Sequence, residues 1–153
     1  MLKSFQVEVC VSSKLYDLVA QSAKQTLWEM GYRDSLSNLQ REVYYLFEIM
    51  AEDKDAAELI AKDAVCKTNL FVNPNKDTFK IGSKKQESIN VLIWYVDEKR
   101  GTNIKDSLEK QGFSAITSVF VGELWHFFGK KESVSNMVES LLVNPHSQRY
   151  KIL

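Results

Sequence analysis

His126 and His146 are the chain's two histidines, the side chains best suited to acid–base chemistry near neutral pH. A catalytic histidine needs an orienting carboxylate and a cleft. His126 lies inside an aromatic run and reads as a packed ring, and His146, in the loop after Pro145, reads as solvated. Asp53, Asp55 and Glu58 offer carboxylates to a metal, yet their spacing spreads them around a helix, where first-turn acids are ordinary dipole partners. Cys10 and Cys66 lack metal-ligand spacing and read as reduced thiols. Lys84-Lys85 and Lys130-Lys131 read as solvated loop charges. No glycine-rich dinucleotide turn, P-loop, Cys-x-x-Cys or His-Glu-x-x-His is present. The residues thus point to a chain without a catalytic constellation, metal or cofactor of its own.

The elements that hold these residues come twice. Asn69-Leu-Phe-Val-Asn-Pro-Asn-Lys-Asp-Thr-Phe-Lys-Ile81 returns as Ser140-Leu-Leu-Val-Asn-Pro-His-Ser-Gln-Arg-Tyr-Lys-Ile152. Upstream, Ser37 to Phe47 aligns with Ser118 to Phe128, sharing Ser, Glu and the final Phe, and Leu27 to Gly31-Tyr32 aligns with Leu108 to Gly112-Phe113. The first copy carries about ten extra residues between these anchors. In this alignment the partners of His126 and His146 are Tyr45 and Asn75, and that of Gly122 is Arg41. The copies delimit a first unit over 1–82, a polar linker over 83–88 and a second unit over 89–153. Units of this size are marginal alone and are expected to pack together.

Twenty basic and twenty acidic residues give no net charge, which argues against nucleic acid or an anionic membrane as partner. No apolar run approaches the ~18 residues of a membrane span, and the chain reads as cytoplasmic.

Phe5, Val7, Val9 and Val11 alternate with polar residues as in a half-buried strand. Leu15, Val19, Ala23, Leu27 and Met30 follow at helical spacing, with Gly31 placed to end the helix in a left-handed conformation. Leu39 to Met50 alternates again, but with Val43, Tyr45, Phe47 and Ile49 on one face and Tyr44 and Leu46 on the other, so both faces need cover. A helix over 52–67 and a strand over 78–81 complete the unit. The second unit repeats the order with strand 89–96, helix 103–111, strand 115–128, helix 132–142 and strand 149–153. Each unit reads β-α-β-α-β, an α+β layer with helices on one face of an antiparallel sheet. Tyr44, Tyr45, Phe47, Trp125, Phe127 and Phe128 exceed what one core face needs, which points to an interface. Gly122, between apolar stretches of a strand, marks a bulge or a close backbone approach.

The second unit, with Gly101 before its helix, Gln111-Gly112-Phe113 at the helix end, Val119-Phe-Val-Gly122 in the strand and Leu141-Leu-Val-Asn-Pro145 ahead of Tyr150-Lys-Ile152, resembles PurS, the small subunit of phosphoribosylformylglycinamidine synthase. The first unit resembles it more loosely, through Gly31-Tyr32 and Phe71-Val-Asn-Pro74. It has Leu39-Gln-Arg-Glu42 in place of the strand signature, and Glu123 stands where the family usually has a basic residue. The resemblance implies two PurS-like units packed as an intramolecular pseudo-dimer, possessing no catalytic residues. It also implies a scaffold role in purine biosynthesis beside a glutaminase subunit and an ATP-driven synthetase subunit, which would hold the ATP, magnesium and glutamine, and further self-association into a homodimer. The partner contacts it suggests are Gly101, Gly122, Glu123, Asn73, Pro74, Asn144 and Pro145, with Tyr44 and Trp125 from the aromatic strands. Two alternatives are a tandem α+β module binding a small regulatory molecule and a diverged PurS duplicate without synthase partners.

Overall fold

The computed structural model describes residues 1–82 and 87–153. The alternating N-terminal segment forms β1 (Lys3–Ser13). α1 (Leu18–Leu27) starts three residues later than the apolar spacing suggests, because the Asp17 carboxylate accepts from the Val19 and Ala20 N–H groups at 3.1 and 3.2 Å and fixes the first turn. A π-helical turn, Trp28–Tyr32, extends α1 to Gly31, whose φ of 103° ends it as expected. β2 (Leu36–Ala51) is the long strand. α2 (Lys54–Lys67) has Asp53 as its cap, accepting from the Ala56 N–H at 2.8 Å, so that carboxylate serves the helix. β3 (Asp77–Ile81) closes the first half.

In the second half, β4 (Ile89–Tyr95), α3 (Arg100–Lys110) and β5 (Ile116–Gly129) follow the expected order. The predicted helix over 132–142 is a 3-10 turn, one α-helical turn, α4 (Val134–Met137), and a π-helical turn, Val138–Leu142. β6 (Gln148–Ile152) is last. Of the linker predicted over 83–88, residues 83–86 lie outside the described residues, and with them the Lys84-Lys85 pair.

The architecture is α+β, with one six-stranded antiparallel sheet in the order β3-β1-β2-β5-β4-β6. Packing groups the chain into two compact units assembled from interleaved segments. The first contains β1, β2 from Val43 onward, α2, β3, α3 and β5 as far as Val121. The second contains α1, β2 up to Glu42, β4, β5 from Gly122, α4 and β6. Each unit therefore draws its first helix from the other half of the chain. Leu108 of α3 is buried with Val7, Val9, Phe47 and Ala61, and Ala20 and Leu27 of α1 are buried with Val91, Ile93, Phe127 and Met137. Helical periodicity specifies that one face of α1 is buried, but not against what.

The two cores also correct the repeat alignment. Tyr45 and Phe47 occupy the first core as Trp125 and Phe127 occupy the second, and Leu36 and Leu39 of the second core are matched by Ile116 and Val119 of the first. Along β2 and β5 the structural correspondence is one residue shorter than the alignment built on the shared Ser, Glu and Phe. A one-residue slip exchanges the faces of a strand, so the counterpart of core-facing Tyr45 is Trp125, and His126 belongs to the opposite face.

That opposite face is covered, as the doubly apolar β2 requires. Tyr44 pairs with Cys10 across β1, is 4% exposed, donates its hydroxyl to Glu8 Oε2 at 2.6 Å and meets Phe120 edge to face at 6.2 Å. Burial, reinforced by the hydrogen bond and negative charge of Glu8, pushes the Tyr44 hydroxyl far above the usual tyrosine range. The folded protein thus keeps a proton that the unfolded chain releases near pH ~10, and the associated stability is complete below that pH and falls above it. Tyr44→Phe is expected to flatten the decline in the urea midpoint between about pH 9 and 11 and to cost about 1 kcal/mol at neutral pH. An unchanged alkaline slope would contradict the assignment. Separately, a fragment ending at Gly82 leaves Ala20 and Leu27 without their second-core partners and is expected to show no cooperative unfolding transition as a monomer. Thermal melting combined with mass measurement checks this.

Candidate functional site

Neighbouring residues on a strand point to opposite faces, and Arg41 and Glu42 of β2 each organise a polar cluster in the second unit. Arg41 faces the helices. Its Nε donates to Asp17 Oδ2 at 2.9 Å and its Nη1 to Glu123 Oε2 at 2.8 Å, with the guanidinium carbon 5.9 Å from the Trp125 ring centre. The same Asp17 carboxylate caps α1, so Arg41 ties the helix start to β2 and, through Glu123, to β5. Arg41 and Glu123, which the sequence singles out one by one, here neutralise each other. All three side chains remain about 30% exposed, a setting in which ion pairs contribute modestly.

Glu42 faces away from the helices toward His126. The β4–β5 register sets Asn90 opposite His126. His126 Nδ1 lies 2.7 Å from Asn90 Oδ1, and Nε2 lies 2.6 Å from Glu42 Oε1. The carboxylate only accepts, so Nε2–H is the donor there. His126 is 0% exposed, Glu42 4% and Asn90 5%. A carboxylate aligned on imidazole is how catalytic histidines are oriented, but a general base needs a second nitrogen free to meet substrate. Here Asn90 occupies it. Ser88 Oγ, 3.4 Å from Nδ1, donates to Asn90 Oδ1 at 3.0 Å, which directs its proton away from the imidazole. The cluster is a buried polar staple joining β2, β4 and β5.

Asn73 and Asn144 build identical turns. Asn73 Oδ1 accepts from the Asn75 N–H at 3.0 Å, its carbonyl accepts from the Lys76 and Asp77 N–H groups, and its own N–H donates to the Asp77 carboxylate. Asn144 Oδ1 accepts from the His146 N–H at 3.0 Å, its carbonyl from Ser147 and Gln148, and its N–H donates to Gln148 Oε1. The Asn-Pro pairs recur because asparagine satisfies the turn's backbone while proline stops the preceding helical segment.

Among the sequence-predicted contact residues, Asn73, Pro74, Asn144 and Pro145 are exposed, as is His146. Glu123 is half-buried in its ion pair. Tyr44, Trp125, Gly101 and Gly122 are buried. Gly101 lies inside α3, where a Cβ would come within 2.2 Å of the Val119 carbonyl oxygen, so it permits a close helix–strand approach. Trp125 Nε1–H is buried without a hydrogen-bond partner. Cys10 is buried and Cys66 exposed, both as free thiols. Among the described residues, no group of three His, Cys, Asp or Glu side chains is placed to hold a metal ion, and no helix is long and apolar enough to cross a membrane.

Sequence reasoning missed Asp17, Glu42 and Asn90. Asn90 did carry a signal, as a polar residue in an otherwise apolar strand stretch that needs a buried partner, whereas Glu42 follows Gln40 and Arg41 and gives none.

Glu42→Ala leaves the enclosed Nε2–H without its acceptor and is expected to cost about 1–3 kcal/mol, whereas Arg41→Ala is expected to cost about 1 kcal/mol or less. Replacing Glu42 and His126 together by leucine should cost clearly less than the sum of the two single changes. A double-mutant cycle in urea measures this, and additivity would rule out the pair. In comparison with known proteins, no family model and no curated protein matches the chain.

Proposed function

We propose that this chain is a noncatalytic scaffold subunit acting in the cytoplasm, of the kind the PurS resemblance implies. Its role would be to hold together the glutaminase and synthetase subunits of a phosphoribosylformylglycinamidine synthase. The observation that carries this reading is the pair of Asn-Pro turns, exposed at the surface and closed by the same hydrogen bonds in both halves. They give the chain two matched, exposed turns, while the Glu42–His126 pair is sealed from solvent and suited to holding strands.

On this reading the two units serve as a pseudo-dimer within one chain. Covalent linkage replaces a bimolecular encounter by an effective concentration of about millimolar order. ATP, magnesium and glutamine would be bound by the larger subunits, which perform the amidine-forming step.

The test is glutamine-dependent synthase activity of the glutaminase and synthetase subunits with and without this chain, with complex mass followed in parallel. The expected result is a rise of about tenfold or more in activity, together with a larger complex, only when the chain is present. Equal activity and no added mass would refute the scaffold reading, as would turnover by the chain alone.

A further inference from the structure

β6 closes one side of the sheet, and among the described residues no strand lies beside its outer edge. The β4–β6 ladder runs between the Val96 N–H to Ser147 carbonyl bond, 3.0 Å, and the Leu153 N–H to Asn90 carbonyl bond, 2.9 Å. Hydrogen-bonded positions alternate along an antiparallel pair, and with Trp94 opposite Arg149 and Leu92 opposite Lys151, those residues turn their backbone inward. Tyr150 and Ile152 therefore direct N–H and C=O outward, where the sheet ends.

Beside this edge is a groove of about 510 Å3 lined by Glu139, Val143, Pro145, Gln148, Arg149 and Tyr150. The Tyr150 side chain packs toward the helix-side core, with its hydroxyl donating to Glu139 Oε1 at 2.7 Å. Arg149 and Lys151 point to the other face and are exposed. Arg149 Nη1 donates to the Pro145 and Gln148 carbonyls, which holds the cation at the edge. A strand laid along β6 thus meets an apolar recess opposite Tyr150 and a cation on either side of it, Lys151 on the other face and Arg149 folded back to the rim of the recess.

From this geometry we infer that β6 is a docking edge for an extended segment of a partner protein reading acidic–apolar–acidic, added to the sheet as a seventh strand. The apolar side chain enters the recess beside Val143, Pro145 and Tyr150. The acidic neighbours meet Arg149 and Lys151, and the segment's backbone pairs with Tyr150 and Ile152. Charge selects this occupant over a second copy of the chain, because pairing β6 with β6 sets Arg149 and Lys151 against the same cations, and like charges directly opposite destabilise a ladder. Glu139 within the recess likewise repels a carboxylate there and leaves the central position to an apolar group. The inference deepens the scaffold reading and rests on it for the identity of the partner.

The probe is the blocked peptide Ser-Thr-Glu-Phe-Glu-Thr-Ser, added to the full chain and followed by fluorescence anisotropy and amide hydrogen exchange. Binding should slow exchange at Tyr150 and Ile152 and leave Phe79 and Ile81 of β3 unchanged. Arg149→Glu with Lys151→Glu should keep a cooperative melt, lowered only by the loss of the Arg149 bonds to the Pro145 and Gln148 carbonyls, weaken this peptide about tenfold or more and favour its Lys-Phe-Lys counterpart. Absence of binding at millimolar peptide, binding indifferent to the charge reversal, or protection confined to other strands would overturn the inference, as would a homodimer formed through β6. The same double variant in the synthase assay separates the two readings. If the chain stimulates the synthase and the variant does so equally, the edge inference fails and the scaffold stands. If the peptide binds as described but the chain leaves the synthase unaffected, the scaffold reading fails and the edge stands.

Discussion

The pleat of β2 governs the second unit. Because successive side chains leave a strand on opposite sides, Arg41 and Glu42 send a cation to one face and an anion to the other, and each finds its complement at a different depth. Arg41 meets Asp17 and Glu123 at the margin, where water screens the pairs. Glu42 meets His126 where water is excluded. A shift of one residue would bury the guanidinium and expose the carboxylate, so the polar pair fixes the register of β2 as firmly as its apolar neighbours do.

Register matters here because so much of the chain is non-local. α1 is buried with Leu36 and Leu39 nearby but also with Val91, Ile93 and Phe127, tens of residues later, and α3 with Ile116 and Val121 of the following strand but also with Val7, Val9 and Phe47, far before it. Each half thus completes the cover of its first helix with strands of the other. In such a topology apolar contacts give most of the stability, but an apolar face accepts many alternatives of similar energy. A hydrogen-bonded carboxylate, imidazole and amide accept very few, since a half-satisfied buried network is worse than an apolar one. The Glu42–His126–Asn90 staple therefore contributes to the choice of one arrangement, although its net stabilisation is small against the cost of desolvation.

The Asn-Pro turns serve the edges of the sheet. Each turn hands the chain directly to an outer strand, and its asparagine satisfies the backbone that would otherwise fray where the helical segment stops. Among the described residues β3 and β6 are each paired on one side only. Basic side chains on β6 disfavour its pairing with another β6.

Much of the fold was legible in the sequence. Alternation over β1 and β2, helical spacing in α1 and α2, the Gly31 helix end and the Asn-Pro punctuation are short-range patterns, imposed by backbone geometry within a few residues. The order of all six strands and four helices followed from them, and so did the cover on the second face of β2, announced by Tyr44. The candidate site was less legible. Identity of Ser, Glu and Phe placed His126 opposite Tyr45, whereas core packing makes Trp125 the equivalent and turns His126 to the other face. Arg41 and Glu123 stood out one by one, but nothing local joined them to each other or to Asp17. Sequence by itself determined which segments become strands and helices and which side of each must be buried. Tertiary structure decided which helix covers which strands and which charges meet, because those choices depend on free energies between groups far apart along the chain, and no periodicity within a segment records them.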